Sequence, residues 1–61
     1  MNKLEIARYS AVQYLLANGR RDSEWAAEGL LDAVSKAMRA TRVEDLTSDK
    51  LDEMIEDAAN N

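Results

Sequence analysis

The sequence predicts an all-α fold, a three-helix unit with helices at about 3–17, 23–40 and 48–59 in a single domain that spans 1–61. Proline is absent and glycine occurs only twice among the 61 residues, so most of the chain consists of residues that favour helix. Apolar residues recur at spacings of three and four, as on one face of a helix. Aromatic residues make up only 5% of the chain, which is too few for a sheet.

The first predicted helix begins after Asn2, whose side chain can cap it, and ends at Asn18-Gly19, because glycine readily adopts the left-handed conformation that terminates a helix. Arg8 lies within its broad apolar arc and is expected to extend to solvent or, if buried, to pair with Glu5 or an acid of the third helix. The arc has two stripes, one with Leu4, Ala7, Ala11 and Leu15 and one with Tyr9, Val12 and Leu16.

The second predicted helix is capped by Asp22 or Ser23. Its predicted buried stripe has Ala27 and Leu31 on one flank and comprises Ala26, Leu30, Ala33, Val34, Ala37 and Met38. Small residues along one edge would let another helix approach closely. These are Ala26, Gly29, Ala33, Ala37 and Ala40.

Two capping patterns precede the third predicted helix. Thr41 and Glu44 have the spacing of a capping box and predict a short helical turn to about residue 46. Thr47 is the predicted N-cap of the helix itself, with Leu46 and Leu51 as its hydrophobic staple. The apolar stripe of this helix is narrow and comprises Leu51, Met54, Ile55 and Ala58.

The net charge of −4 comes from the C-terminal third, where Lys50 is the only basic residue between 43 and 61. The acids of the third helix predict a solvated face or, alternatively, a contact surface for a basic partner. We expect no metal site, since the known calcium-loop and di-iron spacings are missing. The acidic surface comprises Asp49, Asp52, Glu53, Glu56 and Asp57.

Several classes of function are not expected. The chain has no His and no Cys, so it lacks the usual zinc ligands, disulfides and the commonest catalytic groups. We therefore predict that it is not an enzyme and that it has no cofactor. It has no apolar run long enough for a membrane span and no recognisable leader, so the expected location is the cytoplasm.

The short chain is expected to have a thin core. Domains of this size usually need a disulfide, a metal or a second chain for stability, and the first two are not expected here. We predict a symmetric homodimer that packs the first helix, or the small-residue edge of the second, against its copy. The alternative is a monomer in which the broad apolar arc of the first helix is fully used within one chain and Arg8 extends its charged end to solvent.

Trp25 falls away from the predicted buried stripe of the second helix. It either folds back over the turn at 18–22 and covers the end of the first helix, or it anchors a protein partner, since Trp, Tyr and Arg dominate interface energies. In the second case the predicted partner-binding patch comprises Trp25, Tyr9, Tyr14, Leu16, Arg20 and Arg21.

These features predict an interaction module that regulates or inhibits a macromolecular partner by occupying its surface. A protein partner with a basic surface is expected, and no membrane. One alternative is a structural, self-assembling subunit. The other is a helical DNA-binding regulator that uses the Arg20-Arg21 turn, but nucleic acid is not the favoured partner because Glu24, Glu28 and Asp32 would face the phosphates.

Overall fold

The computed structural model describes residues 2–60. It consists of α1 (Lys3–Ala17), α2 (Ser23–Arg39), a short 3-10 turn (Val43–Asp45) and α3 (Ser48–Ala59), and each helix packs against the other two. Within these residues there is no strand. The prediction of an all-α, three-helix unit is therefore confirmed, with helix ends within one residue of those expected.

α1 is closed at both ends by the residues that the sequence indicated. The Asn2 side chain accepts a hydrogen bond of 2.8 Å from the backbone N–H of Glu5. At the other end Gly19 has a φ of 81°, and the N–H groups of Gly19 and Arg20 donate to the carbonyls of Leu16 and Leu15 at 3.0 and 2.9 Å. This pair of bonds is a Schellman motif, which satisfies two carbonyls at the helix end.

The capping of α2 and of the 3-10 turn differs from the prediction. Asp22 is the N-cap of α2, but its side chain makes no capping bond, because its carboxylate binds Arg20 instead. Thr41 does not form a capping box with Glu44. Its hydroxyl donates to the carbonyl of Ala37 at 2.7 Å, so the turn forms at the predicted place without the predicted cap.

α3 begins as expected. The Thr47 hydroxyl accepts a 3.2 Å hydrogen bond from the N–H of Lys50, and Leu46 and Leu51 on either side of this cap are both buried. The Lys3 ammonium donates to the carbonyl of Leu46 at 3.0 Å. This contact ties the start of α1 to the segment that leads into α3.

The core combines small residues on α1 and α2 with larger ones from α3. Ala7 and Ala11 of α1 and Ala27 of α2 are completely buried. Alanine side chains at these positions let two helices pack closely. The largest fully buried side chains are Leu51, Ile55 and Val34, two of which belong to α3.

The residues of the second apolar stripe of α1 are not buried together. Tyr9 is 66% exposed and Leu16 51%, and Leu4 of the first stripe is 46% exposed. Ile6 and Tyr14 pack partly buried against the core instead. α3 leaves a groove beside α1 that both Tyr9 and Tyr14 line, and Tyr9 stays largely exposed there.

The buried face of α2 is rotated from the predicted stripe. It is centred on Ser23, Ala27 and Val34, so Ala27 lies at its middle rather than on a flank. Ala33, expected in the core, is exposed, as are Gly29 and Ala40 of the small-residue edge. Nothing lies within 4 Å of a Cβ built at Gly29, so no other helix in the described part of the chain packs against this position, whereas Ala26 and Ala37 of the same edge pack against the core.

Within residues 2–60 no helix combines the length and the apolar composition that crossing a bilayer requires.

Candidate functional site

A groove between α1 and α3 brings together residues that the sequence assigned to two separate surfaces. Tyr9 and Tyr14 line it from α1, and Asp52 and Glu56 line it from α3. Ile55, which is buried in the core, forms its floor. We call this feature the tyrosine–carboxylate groove.

Helical spacing explains how each wall of the groove is built. Asp52 and Glu56 are four residues apart and therefore lie on one face of α3, as Tyr9 and Gln13 do on α1. Gln13 and the hydroxyl-bearing Ser10 also line the groove. Each wall therefore presents polar groups beside the apolar floor.

The two tyrosines differ in how firmly they are held. Tyr14 is half-buried and packs against the core, whereas Tyr9 is 66% exposed. Tyr14 therefore belongs partly to the fold, and Tyr9 presents most of its surface to solvent. An exposed aromatic side chain at the edge of a groove is a common anchor of protein interfaces.

The acids of α3 lie outside its buried stripe, and two of them, Asp52 and Glu56, border the groove. All five are exposed: Asp49, Asp52, Glu53, Glu56 and Asp57. Glu53 forms an ion pair of 3.6 Å with Lys50. None of the four ion pairs within residues 2–60 includes Asp52 or Glu56.

In the same part of the chain, no group of three or more potential ligands is arranged to hold a metal ion. The acidic face of α3 is a row of separate carboxylates rather than a coordination cluster.

Trp25 lies on the outer surface of α2 and is 77% exposed. It is roughly half a turn around the helix from the line of Ala27 and Val34. It borders a shallow depression with Glu28, Gly29 and Asp32. It therefore does not cover the end of α1, which was one of the two alternatives for this residue.

The two guanidinium groups of the Arg20-Arg21 turn differ in their contacts. Arg20 binds the Asp22 carboxylate through two hydrogen bonds of 2.8 Å, from Nε to Oδ1 and from Nη2 to Oδ2. These bonds lower the pKa of Asp22 and raise that of Arg20. Arg21 is exposed and takes part in none of the ion pairs found in residues 2–60.

Arg8 bridges α1 and α2 by pairing with Glu28. The hydrogen bond to Glu28, followed by the charge of the same residue, raises the pKa of Arg8, and the charge of Glu24 adds to this. Arg8 is exposed, as one alternative expected, but its partner is neither Glu5 nor an acid of α3. The partner was missed because the sequence does not give the relative rotation of two helices.

The structure therefore separates the predicted partner-binding patch. Tyr9 and Tyr14 lie with Asp52 and Glu56, whereas Trp25 borders a different depression on α2. Sequence reasoning found the tyrosines and the acids individually. It missed their juxtaposition and the contribution of Gln13, because neither follows from the pattern of a single helix.

No protein-family model matches the chain, and no similar curated protein and no similar solved structure was found. The chain is therefore described by its fold alone, as a three-helix unit with an acidic outer face on α3.

The Arg20–Asp22 pair gives a testable pH dependence. Replacing Arg20 (R20Q) is expected to return the pKa of Asp22 upward to its ordinary value of 3.8. Since the folded-state pKa is lowered, the stabilisation by this pair is present above that ordinary value and is lost as the pH falls through the lowered one. The effect on stability is small, because both side chains are about half exposed.

NMR titration of the Asp22 carboxyl carbon measures this change. R21Q is the matched control and is expected to leave the pKa of Asp22 where it is. An unchanged Asp22 titration in R20Q contradicts the assignment of Arg20 as the cause.

Proposed function

We propose that this chain is a small, acidic, helical module that binds a basic protein partner and regulates or inhibits it by occupying its surface. The observation that carries the proposal is the groove in which Tyr9 and Tyr14 lie beside Asp52 and Glu56. It places aromatic contact area and negative charge on one continuous surface. The function proposed is binding, without catalysis, and the cytoplasmic location expected from the sequence stays a prediction.

The two kinds of group would contribute differently to binding. Tyrosine is enriched among the residues that dominate interface energies, so Tyr9 and Tyr14 are the proposed anchors. Exposed charge contributes more to the rate and specificity of encounter than to affinity. The acidic face of α3 would therefore steer a basic surface toward the tyrosines.

The acidity of α3 works against its own stability, which supports an external role. Like charges four residues apart, such as Asp52 and Glu56, destabilise a helix by roughly 0.2–0.5 kcal/mol per pair. Glu56 and Asp57 also lie in the last turn, which has no basic residue to complement the negative end of the helix. A basic partner would relieve both effects.

Affinity capture from the cells that produce the protein tests this proposal. The wild-type chain is expected to retain a basic protein that is released as salt rises, because screening weakens exposed charge pairs. The binding-deficient variant carries amides in place of four acids of α3, D52N, E53Q, E56Q and D57N, and is expected to lose the partner. Adding wild-type chain to the purified partner should then reduce the partner's activity.

The control has the same net charge but keeps α3 intact. It carries amides at four exposed acids elsewhere, E5Q, E24Q, D32N and E44Q. It is expected to retain the partner. Equal loss of the partner in both variants, or retention by both, contradicts the proposed role of α3.

Self-association is the second candidate function, and the exposure of Trp25 favours it. Trp25 is the most exposed aromatic residue within 2–60 and lies on the face of α2 that no other helix covers. Exposed Gly29 and Ala33 on the same helix leave room for the backbone of a second copy. The predicted homodimer would use this outer surface of α2, whereas a partner would use the groove.

Sedimentation equilibrium of wild type and Trp25→Ala tests the self-association candidate. Wild type is expected to form dimers, and the variant to be monomeric while it keeps its helical content, because Trp25 contributes nothing to the core of the single chain. Val43→Ala is the control, because Val43 is equally exposed but lies in the 3-10 turn. A strictly monomeric wild-type chain removes this candidate.

DNA binding through the Arg20-Arg21 turn receives little support. The bidentate bond to Asp22 engages Arg20, and a phosphate would have to displace a carboxylate already in place. Glu24 and Asp32 are exposed on α2 and would repel the phosphate backbone of DNA. Nucleic acid therefore stays the least favoured partner.

A further inference from the structure

We propose that the tyrosine–carboxylate groove receives an arginine side chain of the partner. This inference rests on the proposed function, since it specifies which group of a basic partner enters the groove. It concerns the α1–α3 groove alone and not the whole acidic face of α3.

The first step of the argument is the composition of the groove. Tyr9 and Tyr14 supply aromatic surface on the α1 side, and Asp52 and Glu56 supply carboxylates on the α3 side. Buried Ile55 makes the floor apolar. A side chain that fits the groove therefore has an apolar stem, a flat face and a positive charge.

The second step concerns charge. Within residues 2–60 neither Asp52 nor Glu56 takes part in an ion pair, and the cations nearest in sequence have other partners. Lys50 pairs with Glu53, and Arg8 pairs with Glu28 across to α2. The charge that complements the groove is therefore expected from another molecule.

The third step distinguishes arginine from lysine. A guanidinium is planar and weakly hydrated, stacks on aromatic rings and presents a fork of five N–H donors to carboxylates. Asp52 and Glu56, about 6 Å apart along the helix axis, offer two acceptors that this fork can address. An ammonium is a compact, strongly hydrated charge and gains less from the tyrosine rings in a site open to water.

The test uses two blocked peptides of equal length, an oligoarginine and an oligolysine, added to the intact chain. Affinity and the perturbed backbone amides are measured by NMR at physiological salt. The oligoarginine is expected to bind about two- to five-fold more tightly than the oligolysine. This is the difference in affinity that one cation–π contact at an exposed site contributes. The largest shifts are expected at Tyr9, Gln13 and Glu56.

Two pairs of variants separate the groove from general charge. Tyr9→Leu is expected to reduce the preference for arginine, because Tyr9 is the more exposed of the two rings, whereas Tyr9→Phe keeps the ring and the preference. Amides at both groove acids, D52N with E56Q, should weaken oligoarginine binding more than E53Q with D57N. The second pair removes the same charge at the same spacing on α3, outside the groove.

Equal binding of both peptides, or equal weakening by the two pairs of acid variants, overturns the arginine site while leaving the proposed function in place. Binding of neither peptide overturns both. A preference for arginine that Tyr9→Leu leaves unchanged also overturns the inference, because the exposed ring of the groove would then contribute nothing to the selectivity.

Discussion

The burial of alanine on both α1 and α2 is the constraint on which the rest of the structure depends. Ala7, Ala11 and Ala27 are fully buried, and side chains this small bring two helices together while contributing little apolar area themselves. The larger core residues must therefore come largely from the third helix, through Leu51 and Ile55. Docking of α3 completes the core and, with the same contact, creates the groove beside Tyr9.

Two large side chains remain outside this core. Tyr9 and Trp25 lie on helix faces away from the buried alanines and are 66% and 77% exposed. They are two of the three aromatic residues of the chain. The fold thus leaves these two aromatic side chains available for contact with other molecules. Tyr9 lies beside negative charge, and Trp25 lies on a face of α2 that carries small residues.

The sequence predicted the features that a single helix determines. Asn2, Gly19 and Thr47 cap or end helices as expected, and the acids of α3 share one outer face. It did not predict features that depend on how the helices are rotated against one another. Ala27 lies at the centre of the buried face of α2, whereas Ala33 is exposed. Arg8 pairs with Glu28, and Tyr14 lines the same groove as Asp52. These positions could not be predicted because the broad apolar surface of α1 permitted more than one position for α3.

Native-state hydrogen exchange of the free chain tests the central claim, that α3 is docked and the groove preformed, most directly. The account predicts that the amides of Met54 and Ile55 open only with the global unfolding that exposes those of Ala11 and Ala27. If the amides of α3 exchange much faster while α1 and α2 stay protected, the third helix is not docked in the free protein. The groove would then form only on binding, contrary to the account.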